Sequence, residues 1–290
     1  MSLSRSLRWR IEALGARAVF GLFAMLPVDW ASALGGLLAR VVGPRLRVSE
    51  IARTNLRRAF PDMPASRVEA VVGEVWDNLG RVAGEFPHIH WLIRNRVEAV
   101  NLHHLHEMRD DGRPGIFISA HFGNWELGGA MACRENLPIT LVYRAANNPG
   151  VETLYRRGRG AAAEGGQIPK GSPGARQAIE VLCRGGHLAM LVDQKMNDGI
   201  PVPFFGRDAM TAPAMARFAL KYRCPVVPAK IERLKGAHFR MTFYPPIPLP
   251  DSGDAHRDTL EVMTRVNALI EEWVRACPGQ WLWLHKRWPD

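Results

Sequence analysis

The stretch GIFISAHFGNWELGG, residues 115–129, sets His121 directly after a short apolar run and Glu126 five positions further on. A neutral imidazole is the usual base at neutral pH, and a carboxylate on its second ring nitrogen fixes tautomer and orientation. Such a pair suits proton abstraction from a weak nucleophile. Spacing alone does not select it: His106/Asp111, His256/Glu261 and His285/Asp290 repeat the interval, and a core histidine beside a helix-starting acid would look the same. Context sets His121 apart. A run of strand length ends at Ala120, and FGNWELGGAMA opens a helical pattern in which Gly123 lets a ligand approach the backbone and Asn124 caps the first turn. His121 therefore reads as a general base at the carboxyl end of a strand, where α/β sheets gather ligands, with Glu126 as its orienting partner. No G-x-S-x-G occurs and Ser119 lies inside the apolar run, so the base would act directly on a substrate hydroxyl.

The elements that must hold this junction are legible around it. GIFISA, ITLVYR, HLAMLVD, CPVVPAKIE and HFRMTFY are strand candidates, separated by helical patterns near 125–135, 150–163, 174–184 and 211–222. That alternation implies an α/β fold whose mixed, mostly parallel central sheet is flanked by helices. Lys235-Gly236 between the last two runs suggests an antiparallel hairpin. Asp193 and Gln194 follow HLAMLV at the same sheet edge as His121 if the two strands run parallel; Asp193 would orient the reacting centre or simply form a turn. Upstream, Pro61 and Pro64 break helices, Ser66 caps the next, and Val68, Val71, Val72, Val75 and Leu79 form its apolar stripe.

The chain of 290 residues has a net charge of +10, of which +7 falls within residues 1–60. From Ala18 to Ala39 the only charge is Asp29, close to Pro27. As one helix this stretch would be about 33 Å long, enough for a bilayer core, but a central proline and carboxylate argue against a clean span. It reads as two apolar helices lying along or dipping into one leaflet, flanked by arginines such as Arg10, Arg17, Arg40 and Arg45. A two-helix cap on the protein's own core is the alternative. The expected division is residues 1–44 as membrane-associating helices and 45–290 as the α/β domain. Four cysteines without a C-x-x-C suggest filler in a reducing compartment. HHLHE, residues 103–107, reads as an amphipathic helix with solvated histidines, not a metal site. No nucleic-acid motif accompanies the arginines.

Beyond HFGNWE, four blocks occur in order: ARTNLRRAFPDM, VYRAANNPGVETLYRRGR, LVDQKMNDGIPVPFFG and PGQWLWLHKRW. Together they resemble the bacterial lipid A biosynthesis (late) acyltransferases, within the wider glycerolipid acyltransferase group, over most of the chain. The resemblance implies transfer of a fatty acyl chain from acyl carrier protein to a hydroxyl of a lipid A precursor or related glycolipid, at the cytoplasmic face of the cell inner membrane, with no cofactor or metal. It implies His121 and Glu126 as catalytic residues and favours substrate contacts from Arg144 and Arg159, whose guanidinium forks suit phosphates. Gly123, Asn124, Asp193 and Gln194 join them as candidate substrate-binding residues, and Phe204 and Phe205 as an apolar wall for the acyl chain or plain core. An acyl-CoA-dependent acyltransferase on another phospholipid or glycolipid, and a non-catalytic membrane lipid-binding protein, are the rival expectations. One departure stands out: Gly279 replaces the glutamate usual in the closing block.

Overall fold

A computed structural model describes residues 3–160 and 165–289. Its helical first third comprises α1 (Leu3–Met25), α2 (Val28–Val42), α3 (Ser49–Ala59), α4 (Ala65–Glu85) and α5 (Ile89–Asn95). There follow β1 (Val97–Val100), α6 (His103–Asp110), β2 (Gly115–Ser119), α7 (Leu127–Arg134), β3 (Ile139–Tyr143), α8 (Pro149–Arg159), β4 (Gln167–Pro169), α9 (Ser172–Cys183) and β5 (His187–Leu191). The chain ends with β6 (Lys195–Phe204), β7 (Arg207–Thr211), α10 (Ala214–Tyr222), β8 (Val226–Arg233), β9 (Phe239–Phe243) and α11 (Ala255–Ala276).

The main sheet has the order β1-β9-β8-β2-β5-β3-β4. Every pairing is parallel except β8 with β9, the hairpin expected around Lys235-Gly236, where Gly236 takes φ +56°. The sheet is thus mixed and mostly parallel, as the alternation of elements indicates. Side chains alternate across it. Ile116, Ile118 and Leu188 face a core built with α4, α9, α10 and α11, whereas Phe117, Ala189 and Val227 face α5, α6 and α7. β6 and β7 form a separate antiparallel pair. These two strands, β1 and β4 were not legible as apolar runs: β1 and β4 are short edge strands, and β6 carries Gly199, Pro201 and Pro203. The helical pattern at 150–163 runs to Arg159, and its last three residues lie outside the described ones. Ser66 is not a cap, because α4 begins one residue earlier with Pro64 at its N-cap.

The break at Pro27 falls where the sequence places it, between α1 and α2. Among the described residues no helix is long and apolar enough to cross a membrane. α2 has two characters. Ala31, Ser32, Gly35 and Gly36 are buried against α4, so closely that a Cβ on Gly35 would lie 2.3 Å from the Gly80 carbonyl oxygen and one on Gly84 2.2 Å from that of Ala31. Its outer face exposes Trp30, Leu37, Leu38 and Val41, and α1 exposes Leu7, Ile11 and Leu14 at helical spacing. α1 and α2 are therefore seated on the rest of the protein while presenting an apolar stripe outward.

Candidate active site

β2 and β5 are parallel neighbours with Ser119 opposite Leu191, and the Val192 amide donates to the Ser119 carbonyl at 3.1 Å. Two residues past each strand end, His121 and Asp193 therefore emerge side by side although 72 positions separate them. Asp193 Oδ1 accepts from His121 Nδ1 at 2.8 Å, and Oδ2 accepts both the His121 amide and Trp281 Nε1, each at 2.8 Å. Asp193 is 1% exposed. Burial alone would raise its pKa, but the positive charge and hydrogen bonds of His121 outweigh burial and hold the carboxyl well below the usual carboxylate range. In the neutral imidazole, an ionised Asp193 selects the tautomer with its proton on Nδ1, which has the lone pair on Nε2. That nitrogen lies 3.4 Å from the Gln194 carboxamide nitrogen, and the ring sits 5.2 Å from that of Trp125. The His121 side chain is 14% exposed.

The expected partnership of His121 with Glu126 is corrected by this geometry. Both Glu126 oxygens are taken by Arg159, which donates from Nε and Nη2 at 2.8 Å each. The ion pair is nearly buried, and the guanidinium lies over the rings of Tyr143 and Tyr155 at 5.3 and 5.7 Å. The physical reason is helix direction: Glu126 ends a turn that leads into α7, facing the carboxyl end of α8 rather than the tip of β5. With Phe117, Trp125, Leu141, Tyr143 and Met190, the pair lines a small, largely apolar cavity of about 70 Å³.

Gly123 and Asn124 are also reassigned. Gly123 takes φ +56°, and a Cβ there would lie 1.9 Å from the Ile231 carbonyl oxygen. The close approach the glycine permits is thus to β8 and not to a ligand. Asn124 has no exposed surface; its Oδ1 accepts the Glu126 amide at 3.3 Å, as a turn cap, and its Nδ2 donates to Glu85 Oε2 at 2.8 Å. Arg144, by contrast, is exposed just past β3 at the same sheet edge. Lys170, one residue past β4, brings Nζ within 3.5 Å of Gln194 Oε1. The sequence offered no signal for it beyond its place after an edge strand too short to recognise. Ser119 is turned into the sheet, donating to the Ala229 carbonyl at 2.7 Å, consistent with a site lacking an enzyme hydroxyl nucleophile.

The remaining motif residues are framework. Asn55 of the early block donates to the Trp283 and His285 carbonyls at 3.0 and 2.8 Å, pinning the closing segment. Asn148 caps α8 ahead of Pro149 by accepting the Gly150 amide at 2.9 Å. Phe204 and Phe205 are buried against Trp281, Trp283 and Trp288, so they are core and not an acyl wall. Arg287, fully buried, is held by the neutral acceptors Thr211 Oγ1 and Asn267 Oδ1 at 2.9 and 3.3 Å. At Gly279, a Cβ would lie 2.3 Å from Glu74 Oε2; the space a larger residue needs is filled by another acid, itself paired with Arg67 at 2.6 Å. Among the described residues, His103, His104 and Glu107 on α6 have ligand atoms within 4.8 Å of one another; His103 and Glu107 are exposed.

The family model for bacterial lipid A biosynthesis acyltransferases matches residues 3–290. The chain is 23% identical to a Haemophilus influenzae lipid A biosynthesis acyltransferase over 91% of its own length and 83% of the relative's. It is 24% identical to the Escherichia coli lipid A biosynthesis palmitoleoyltransferase over 93% and 88%, respectively. It is equally similar, at 24% identity over 96% and 92%, to a phosphatidylinositol mannoside acyltransferase of Mycolicibacterium smegmatis.

Proposed function

The chain belongs to the bacterial lipid A biosynthesis acyltransferase family, and from that premise we propose that its His121 site moves a fatty acyl chain from an acyl carrier protein thioester to a hydroxyl of a lipid A precursor. The protein is an acyltransferase acting on a lipid acceptor. The observation that carries the mechanism is the His121–Asp193 pair: with Nδ1 donating to Asp193, the neutral imidazole presents the Nε2 lone pair to the acceptor. An acceptor hydroxyl bound there gives its proton to Nε2 as its oxygen forms a bond to the thioester carbonyl carbon. The tetrahedral intermediate then collapses with cleavage of the C–S bond, and the departing thiolate takes the proton back from the imidazolium. Asp193 stabilises that imidazolium and keeps the ring in place. A thiolate leaves more readily than an alkoxide, so the step needs no metal.

Glu126 and Arg159 then have a supporting role: together they form one wall of the apolar cavity beside Trp125, which would receive the start of the acyl chain. At about 70 Å³ it is far below the ~300 Å³ of ordinary ligand pockets, so chain entry requires these side chains to move. Arg144 and Lys170, at the open edge, suit the phosphates of a phosphopantetheine arm or a glycolipid headgroup. The apolar face of α1 and α2, with Arg10, Arg17 and Arg40 on the same two helices, supports docking to the cytoplasmic face of the inner membrane without a span.

Similarity to a phosphatidylinositol mannoside acyltransferase favours one second reading, a different glycolipid acceptor. Purified protein should be given acyl carrier protein or coenzyme A thioesters, each with a lipid A precursor or a phosphatidylinositol mannoside, and the products weighed by mass spectrometry. Transfer from the carrier thioester to the lipid A precursor is expected. Exclusive use of acyl-CoA would overturn the donor assignment, and absence of transfer by active-site-intact protein in all combinations would favour a lipid-binding role.

A further inference from the structure

Glu85, the last residue of α4, has no exposed surface, and the chemistry derived above makes no use of it. A buried carboxylate is tolerated only when paired and fully hydrogen-bonded, so its donors indicate what it holds. Ser32 Oγ of α2 donates to Oε1 at 2.7 Å, and Asn124 Nδ2 donates to Oε2 at 2.8 Å. The Arg233 guanidinium donates to both oxygens, from Nη1 to Oε1 and from Nη2 to Oε2 at 3.0 Å. Arg233 also donates from Nε to Asn78 Oδ1 at 3.0 Å, and Asn78 Nδ2 donates to the Gly123 carbonyl at 2.9 Å. Residues 123 and 124 thus hang on one carboxylate, Asn124 directly and Gly123 through Arg233 and Asn78.

These are the residues that turn the chain away from His121. They are neither strand nor helix, and Gly123 is in the left-handed region. From the sheet side, His121 is fixed by Asp193; from the helix side, its turn is fixed by the network around Glu85. We propose that Glu85 is a positioning residue for acyl transfer, whose carboxylate sets the 121–124 turn so that His121 meets Asp193 and the acceptor hydroxyl together. This rests on His121 as the base. The fourth donor, Ser32, makes the seat of α2 on α4 part of the same arrangement.

The test compares Glu85→Gln, which keeps the volume but turns one acceptor into a donor, with Val71→Ala, a pure core truncation in the same helix. Misplacing a catalytic group by about 1 Å costs roughly 100-fold. Glu85→Gln is therefore expected to lower kcat by about that factor with little change in acceptor KM, and to speed amide hydrogen exchange at residues 120–126. Val71→Ala should lower the melting temperature while leaving kcat and that exchange as in the parent protein. Adding Asn124→Ala to Glu85→Gln should cost little more, because both break one arrangement. Wild-type kcat and exchange in Glu85→Gln, beside an inactive His121→Ala, would overturn this role alone; an equal kcat loss in Val71→Ala would reduce it to stability. Full activity in His121→Ala would instead overturn the base assignment on which it rests.

Discussion

Replacing Asp193 by asparagine tests the site with a single change of one atom for another. Asp193 Oδ2 accepts two N–H donors, the His121 amide and Trp281 Nε1, while Oδ1 accepts one, from His121 Nδ1. An asparagine must put its oxygen in one place and its NH₂ in the other. Facing the NH₂ toward two fixed N–H donors would leave three donor groups without an acceptor, so the oxygen takes the Oδ2 place and the NH₂ faces Nδ1. The imidazole can then satisfy that NH₂ only by accepting through Nδ1, which moves its proton to Nε2. A protonated Nε2 cannot receive the acceptor hydroxyl's proton. The fold is retained, but the tautomer is wrong.

A general base contributes about 10²–10⁴ in rate, and a wrong-tautomer change in an analogous serine-protease triad costs about 10⁴ in kcat. Asp193→Asn should therefore lower kcat by about 10³–10⁴, close to the loss for His121→Ala, and the double variant should lose little beyond either alone. Initial rates of acyl transfer from a carrier thioester, with melting temperatures recorded in parallel, provide the measurement. Glu126→Gln keeps its shape but weakens a charge-assisted bidentate pair, so its loss should be about 10-fold and independent of His121. If Asp193→Asn keeps a tenth or more of wild-type kcat while Glu126→Gln behaves like His121→Ala, the orienting role belongs to Glu126 and the tautomer reasoning is wrong.

Other outcomes follow from named contacts. Both ring nitrogens of His285 are buried without a hydrogen-bond partner among the described residues, and burial pushes its pKa down to about 4. The unfolded chain then binds a proton that the folded chain refuses between about pH 6.5 and 4, so stability falls as pH falls across that window, by about 3 kcal/mol. Urea unfolding over that range should show the slope, and His285→Gln should flatten it; an unchanged slope would contradict the assignment. Gly279→Glu should destabilise by about 1–3 kcal/mol through overpacking against Glu74, with recovery in the Glu74→Ala background; a neutral effect in the parent would show that Glu74 swings aside freely. Ile11→Asp with Leu38→Asp, both on the exposed stripe, should abolish co-sedimentation with anionic vesicles while leaving the melting temperature within a few degrees. Retained vesicle binding would remove these helices from the membrane surface. Deleting residues 1–44 is a poorer probe, since it would also strip α2 from its close seat on α4.

What was legible in the sequence divides along a physical line. Runs buried within the sheet, such as Ile116–Ile118 and Val226–Val227, are apolar because helices cover both faces, and they announced the parallel core and the strand end before His121. The edge strands could not be read this way. β4 spans three residues, and none of the four residues of β1 is buried. The same limit governed the site. His121 stands out because a strand end is a local property, but its carboxylate is chosen by strand order: β5, not the following helix, lies beside β2, and the register of Ser119 against Leu191 carries Asp193 to the imidazole. A carboxylate five residues away is near in sequence whatever the fold does, whereas one 72 residues away is near only if two strands pair in one register. Glu126 drew attention because its interval is visible in one line of text. Arg159 and Asp193 were legible as candidates, Asp193 at the same sheet edge as His121, but the pairing of each, and any part for Glu85, become legible only through contacts between elements, and such contacts belong to the fold as a whole. A motif of fixed spacing can therefore mark a catalytic segment faithfully and still misassign the roles within it.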